Sequence, residues 1–276
     1  MDDTIPQVSL HGRVRMPRLG LGTWPMDDAT AERIVSVASE LGYRHFDTAT
    51  KYGNERGVGA GIRASGLPRG DIFVTTKLNG DFQGEGRAVA GLEAALERLD
   101  LEYVDLLLIH WPLPGRGEYV STWKTFEALL DSGLTRAIGV SNFKTAHLRR
   151  LIAETDVVPA VNQIQVNPQI PRLEQRQFHA ANGIVTESWS PLGSGKGLLD
   201  SRVLASIAVA QGRTPAQIAL RWHLQHDLVP IPRSTGIDRL RQNLGVFDFE
   251  LTAQQMLALD ALAVPGAGVD SDLEGH

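Results

Sequence analysis

Short apolar runs alternate along the chain with longer stretches whose apolar residues recur at helical spacing. The opening pattern differs. Val8 and Leu10, then Val14 and Met16, flank His11 and Gly12 and read as a small hairpin. Residues 19–22 form a first, weak strand. Residues 28–41 place Ala31, Ile34, Val35, Ala38 and Leu41 on one helix face, and Gly42 stops that helix. Strand-like runs follow at 45–47, 72–77, 103–110, 135–140, 160–166, 184–189 and 228–231. Helical stretches lie at 54–64, 86–99, 122–132, 145–154, 172–182, 203–211 and 215–226, with Thr214 placed to cap the last. Two more, 237–244 and 253–262, close the pattern.

Strand–helix alternation implies a parallel sheet. Eight units predict an α/β fold, a (β/α)₈ TIM barrel with an N-terminal hairpin and closing C-terminal helices. An open doubly wound sheet is the alternative. No Pro/Gly/Ser-rich linker divides the chain, so residues 1–276 read as a single barrel domain, with 264–276 as a flexible tail. The length of 276 residues fits one barrel of about 250.

The formal charge of -5 argues against a nucleic-acid or anionic-membrane partner. No apolar run approaches the roughly 20 residues of a membrane span. The absence of cysteine excludes disulfides and thiolate chemistry. The first ten residues carry no basic-then-apolar leader, so the cytoplasm is the expected compartment. A monomer is the expected state.

Barrel enzymes place their chemistry at the C-terminal ends of strands. The second strand ends at Asp47, and the loop after it holds Tyr52. The third ends at Lys77 and the fourth at His110. Three neighbouring strands therefore bring these four side chains to one mouth. The set suits carbonyl reduction. Hydride arriving at a carbonyl carbon leaves negative charge on oxygen, which needs a proton or a hydrogen bond. A free tyrosine is a weak acid, and a nearby ammonium lowers its pKa. Asp47 would hold Lys77, and His110 would orient the carbonyl. Singly, each residue has a plainer reading as a turn former, a packing ring or a solvated cation.

The run GYRHFDTA at 42–49 followed by YGNE at 52–55 resembles the aldo-keto reductase signature. TTKL at 75–78 and LLIHWP at 107–112 are similar to the stretches holding that family's Lys and His. GVSNF at 139–143, NQIQVNP at 162–168 and SPLG at 190–193 resemble its cofactor segments, and IPRS at 231–234 and NLGVFDF at 243–249 complete the series. The resemblance implies a (β/α)₈ barrel, NADPH/NADP⁺ as cofactor, and hydride transfer to an aldehyde or ketone. It carries over Asp47, Tyr52, Lys77 and His110 as the catalytic tetrad. The build is similar to 2,5-diketo-D-gluconate reductase-like members with short loops.

Within that resemblance, Trp189 would stack on the nicotinamide ring. Ser141, Asn142 and Gln163 suit its carboxamide. Ser190, Leu192, Gly193 and Ser194 would hold the pyrophosphate on a small-residue loop. Arg233, Ser234, Thr235, Arg239 and Asn243 would take the 2′-phosphate, for which two guanidinium groups beside a hydroxyl are suited. Trp24, Tyr52, His110 and Trp111 would line the substrate pocket. The short loop 112–119 and Asn79 predict a wide pocket admitting small dicarbonyls, keto sugars and aromatic aldehydes.

Two motifs are declined. GVGAG at 57–61 lacks the spacing of a dinucleotide fingerprint and reads as helix packing. GSGKG at 193–197 lacks the Ser or Thr of a phosphate-binding P-loop. No His, Asp and Glu set has metal spacing, and His223 and His226 read as surface residues of an outer helix. The alternative function is a non-enzymatic NADP-binding barrel subunit that senses redox state.

Overall fold

Strands β1 (Gln7–Leu10) and β2 (Val14–Pro17) pair antiparallel, with Val8 opposite Met16 and Leu10 opposite Val14, as the hydrophobic pattern requires. The computed structural model describes residues 5–12 and 14–276. Residues 1–4, part of the segment read as lacking a leader, and residue 13, within the predicted hairpin, lie outside the described residues.

Eight parallel strands follow in chain order, each beside the next: β3 (Leu21–Gly22), β4 (His45–Asp47), β5 (Phe73–Leu78), β6 (Leu106–Ile109), β7 (Ile138–Ser141), β8 (Val161–Gln165), β9 (Val185–Trp189) and β10 (Val229–Pro230). The Gly20 N–H donates to the Pro230 carbonyl at 3.1 Å and the Gly22 N–H to that of Pro232 at 3.2 Å. These bonds join the first strand to the last, so the sheet has no free edge. Helices α1 (Asp28–Leu41), α2 (Glu55–Ala64), α3 (Arg87–Leu99), α4 (Tyr119–Ser132), α5 (Thr145–Glu154), α6 (Leu173–Ala181), α7 (Arg202–Gln211) and α8 (Pro215–Gln225) fill the crossovers. Helices α9 (Ile237–Leu244) and α10 (Ala253–Asp260) complete the chain's helical elements among the described residues.

The helix ends obey local chemistry. Asp27 accepts the Thr30 N–H at 2.8 Å to start α1, and Gly42, at φ 111°, ends it in a conformation that costs a residue with a Cβ. Thr214 and Gln217 form a reciprocal capping box at α8. The strand read at 103–110 is shorter in the barrel. The Asp105 carboxylate takes the Val74 N–H at 2.9 Å and pairs with Arg69 and Arg136, so regular strand begins only at Leu106.

Alternation across the strands stacks the barrel interior in layers. At the floor, Phe73, Leu106, Leu108, Val161 and Val229 pack against Leu10, Val14 and Met16 of the hairpin, which plugs the barrel. Higher up, the same inward positions become polar: His45 and Asp47 on β4, Thr75 and Lys77 on β5, Gln163 on β8 and Glu187 on β9. The intervening residues face the helices, as when Thr76 donates to Glu55 of α2 at 2.6 Å.

His223 is a correction to the surface reading. It is fully buried, with Nδ1 against the Ala219 carbonyl and Nε2 against that of Val166. Helix α8 turns this residue onto the barrel end of β8, and burial lowers its pKa to about 4, leaving the ring neutral. His226 stays half-buried and meets Asp260 at 2.9 Å.

The glycines at 57–61 let α2 lie against α1 and the end of α3. A Cβ on Gly57 would stand 2.1 Å from the Asp28 carbonyl oxygen, and one on Gly59 would stand 1.9 Å from that of Leu99. Gly59→Ala is therefore expected to destabilise the protein by about 1–3 kcal/mol through forced backbone displacement. Urea unfolding followed by circular dichroism measures this. A midpoint equal to that of the wild type would show that the helices have room to separate.

Candidate active site

Lys77 is fully buried at the end of β5, where an unpaired ammonium would be costly. Its three hydrogens are all placed. Nζ donates to Asp47 Oδ1 at 2.6 Å, to the Thr48 carbonyl at 2.9 Å and to Tyr52 Oη at 3.3 Å. Burial works against the charge, but Asp47 and Tyr52 outweigh it, and the pKa of Lys77 is raised. The ammonium stays charged. Burial raises the Asp47 carboxyl, against the pull of Lys77.

Tyr52 accepts from Lys77, which leaves its own O–H free to donate. The sequence led us to expect that Lys77 lowers the Tyr52 pKa. It does pull in that direction, but burial is larger, and within the chain alone the phenol is raised. His110 stands edge-on to Tyr52 with ring centroids 5.7 Å apart. Burial, then the charge of Lys77, holds His110 well below its ordinary pKa, so it is a neutral donor. Its Nδ1 is buried with no partner among the described residues. The four residues predicted from three strand ends and the loop after the first of them do converge on one point.

Asp47, Tyr52 and His110 line the base of a cavity of about 610 Å³, with Lys77 buried behind them. Trp24, Trp111 and Trp189 supply its aromatic walls, and Trp24 is 55% exposed at the rim, 5.2 Å from the Tyr52 ring. Trp189 is held by a 2.8 Å bond from Nε1 to Asn142 Oδ1. Asn142 in turn donates to the His110 carbonyl at 3.1 Å, and Ser141 Oγ donates to the Gln163 carbonyl at 2.9 Å. Gln163 gives its amide hydrogens to Asp47 at 2.7 Å and to Glu187 at 2.6 Å. Much of the polar set assigned to a carboxamide is thus engaged inside the chain, and what it offers a ligand is mainly acceptor oxygen.

Beyond Trp189 the wall is a small-residue loop. Ser190, Leu192, Ser194 and Gly195 border the cavity, and Gly193 and Gly195 have φ of 78° and 74°. Arg233 borders it as well. Ser234, Thr235, Arg239 and Asn243 lie beyond the cavity wall, where Arg239 Nε donates to Ser234 Oγ at 3.3 Å. Asn243 is buried, and the Tyr43 hydroxyl donates to the Leu240 carbonyl at 3.2 Å on the same helix. No group of three or more His, Cys, Asp or Glu able to hold a metal ion occurs among the described residues, and none of the described helices is long and apolar enough to cross a membrane.

Several residues at this site were not singled out from sequence. Glu187 and His45 lie one layer deeper, where a charged residue inside a strand was the available signal. Lys51 and His276 border the cavity. Residues 264–276, expected as a flexible tail, are laid along the mouth. Lys144 pairs with Asp270 and Asp272, Val269 N–H donates to Gln165 at 2.9 Å, and Gly80 N–H donates to the His276 carbonyl at 3.1 Å. The His276 ring meets that of His110 at 4.8 Å. Asn79, expected to widen the pocket, is tied to Thr50 and Asp81 and faces a neighbouring cavity.

The model of the Aldo/keto reductase family matches residues 18–264. An aldo-keto reductase of Mycolicibacterium vanbaalenii is 51% identical over 258 residues, covering 94% of this chain and 92% of that one. The methylglyoxal reductase DkgA of Yersinia pestis is 46% identical over 261 residues, covering 93% and 92%. The crystal structure of a Gox0644 variant in complex with NADPH superposes with a TM-score of 0.94 at 40% identity, covering 99% of this chain and all of that one.

Lys77→Met leaves Asp47 buried without its cation. A loss of about 3–5 kcal/mol in unfolding free energy is expected at neutral pH. The loss should shrink as pH falls, because the unpaired carboxyl takes up a proton and the buried charge disappears. Denaturant titrations at several pH values read this directly. A loss independent of pH would assign it to packing.

Proposed function

Because the chain belongs to the aldo/keto reductase family, we propose that it is an oxidoreductase reducing aldehydes and ketones to alcohols with NADPH, Tyr52 giving up the proton. The observation that carries this reading is the allotment of hydrogens around Lys77. Each of its N–H groups has an acceptor, Tyr52 is one of them, and the phenol's own hydrogen remains unassigned within the chain.

The residues present fit a dinucleotide. Trp189 offers a ring face fixed by Asn142, the loop 190–195 offers turned backbone amides, and Arg233 at the cavity edge with Arg239 beyond it would supply positive charge to a 2′-phosphate. The NADPH complex of the similar Gox0644 structure supports the same assignment. NADPH, when bound, supplies the hydride. The rest belongs to the side chains. Neutral His110 donates a hydrogen bond to the carbonyl oxygen and orients it beside Tyr52. As charge grows on that oxygen, the Tyr52 O–H transfers its proton to it. The phenolate left behind is stabilised by Lys77 at 3.3 Å. The ammonium thus favours the product of proton transfer more than its starting state, which is the condition for catalysis. The aromatic walls exclude water and favour flat or ring-bearing carbonyls. Small dicarbonyls, keto sugars and aromatic aldehydes form the proposed substrate class, and the DkgA likeness adds weight to methylglyoxal.

NADPH oxidation at 340 nm against methylglyoxal, a nitrobenzaldehyde and a keto sugar tests the reading. Tyr52→Phe is expected to lower turnover by roughly 10²–10⁴-fold with NADPH still bound. Wild-type turnover no higher than that variant's, with tight NADPH binding, would identify a redox-sensing module instead. Arg239→Ala is expected to weaken NADPH about tenfold and leave NADH nearly unchanged. Parallel weakening of both would remove the 2′-phosphate assignment.

A further inference from the structure

Below the tetrad lies a polar layer that the reaction does not use: His45, Thr75 and Glu187, all fully buried. Glu187 Oε2 accepts from Gln163 Nε2 at 2.6 Å, and the same nitrogen donates to Asp47 Oδ2 at 2.7 Å. Both hydrogens of the Gln163 amide therefore point at carboxyl groups. Turning the amide over would set its oxygen against two carboxyl oxygens. The Gln163 oxygen is the polar group left to face the cavity that this side chain borders.

The other Glu187 oxygen, Oε1, stands 3.3 Å from His45 Nε2. His45 Nδ1 is 3.4 Å from the Pro17 carbonyl, which only accepts, so the ring's hydrogen sits on Nδ1. Burial, and behind it the charge of Lys77, holds this imidazole to a pKa of about 3. The ring is neutral and Nε2 carries a lone pair. Thr75 Oγ1 also approaches that nitrogen, at 3.2 Å. Glu187 Oε1 has no hydrogen-bond partner of its own. An unprotonated oxygen facing a bare ring nitrogen at 3.3 Å is repulsive. A proton on Oε1 turns the contact into a hydrogen bond. Burial, with the charge of Asp47 adding to it, pushes Glu187 up to about 8, in keeping with that proton. The groups facing Glu187 are His45 and Asp47 from β4, Tyr52 from the loop after it and Lys77 from β5; β8 brings neutral Gln163 and β10 apolar Val229.

We propose that Glu187 is a positioning residue of this active site: protonated toward His45, its carboxyl group holds the Gln163 amide with nitrogen inward and oxygen toward the cavity, presenting an acceptor to the carboxamide hydrogens of NADPH. This rests on the NADPH reading above. Gln163 touches the cofactor, and Glu187 acts through it. Loss of the proton puts a second carboxylate beside Asp47 and turns the His45 contact repulsive, so the Glu187 side chain is driven off the position from which it holds the amide.

Infrared spectroscopy before NADPH is added tests the proton. The wild type should show the carbonyl stretch of a buried protonated carboxyl group. The band should vanish as pH rises through about 8 and be missing from Glu187→Gln. Tryptophan-fluorescence quenching then gives the NADPH Kd. Glu187→Gln keeps a donor toward His45 and an acceptor toward Gln163, so its Kd at neutral pH should stay within about twofold of wild type. It should also lose the alkaline weakening that the wild type shows. Glu187→Ala, which strands a Gln163 hydrogen, should raise the Kd about tenfold or more. A band that persists in Glu187→Gln, or a Glu187→Gln Kd as weak as that of Glu187→Ala, overturns the proposal. If Glu187→Gln does not fold, a wild-type spectrum lacking the band at neutral pH overturns it alone. These readouts need no turnover. A chain that binds NADPH without reducing carbonyls defeats the reductase reading and leaves this test intact.

Discussion

A charged ammonium held inside the barrel mouth is the constraint on which the site depends. Lys77 is fully buried, so each of its hydrogens must find an oxygen of the chain. One is the Asp47 carboxylate, one a backbone carbonyl and one the Tyr52 hydroxyl. The first two secure the charge. The third makes it useful, because the tyrosine is then oriented with its own hydrogen outward. Losing any partner would leave either a buried charge uncompensated or a phenol without the cation that stabilises its conjugate base.

The barrel makes this arrangement possible by geometry alone. Parallel strands end at nearly the same level, and alternation sends every second side chain inward. Asp47, Lys77 and His110 therefore meet although 63 positions separate the first from the last. The hairpin seals the opposite end with Leu10, Val14 and Met16, which keeps the interior dry. In that dry interior the ion pair is strong, His110 stays neutral, and a glutamate retains its proton.

The polar layer is continuous from His45 to Tyr52 through Glu187, Gln163, Asp47 and Lys77. Each member has its donors and acceptors fixed by the next, so rotamer and protonation choices propagate upward to the cavity. Such a network is costly when partly satisfied and specifying when complete. It explains why these polar side chains occupy positions that apolar residues fill at the floor.

The strand–helix rhythm, the helix stop at Gly42, the cap at Thr214, and the placement of Asp47, Tyr52, Lys77 and His110 around one mouth were legible in the sequence. Each is set by local spacing or by one residue's conformational preference. The glycines of α2 were also legible as packing residues, since they lack the spacing of a phosphate loop. Other features depended on which distant segments meet. Nothing near His223 signals that its ring closes on Val166, or near Asp105 that its carboxylate shortens a strand. The placement of residues 264–276 over His110 follows from acids at 270 and 272 reaching Lys144, more than a hundred positions away. The balance at Tyr52 was likewise undecided locally: a neighbouring cation lowers its pKa, but burial, a property of the whole barrel, is the larger effect. The sequence by itself determined which groups stand at the strand ends, because periodicity is local. Only the tertiary structure decided their protonation and hydrogen-bond roles, because those depend on exclusion of water and on partners brought from other strands.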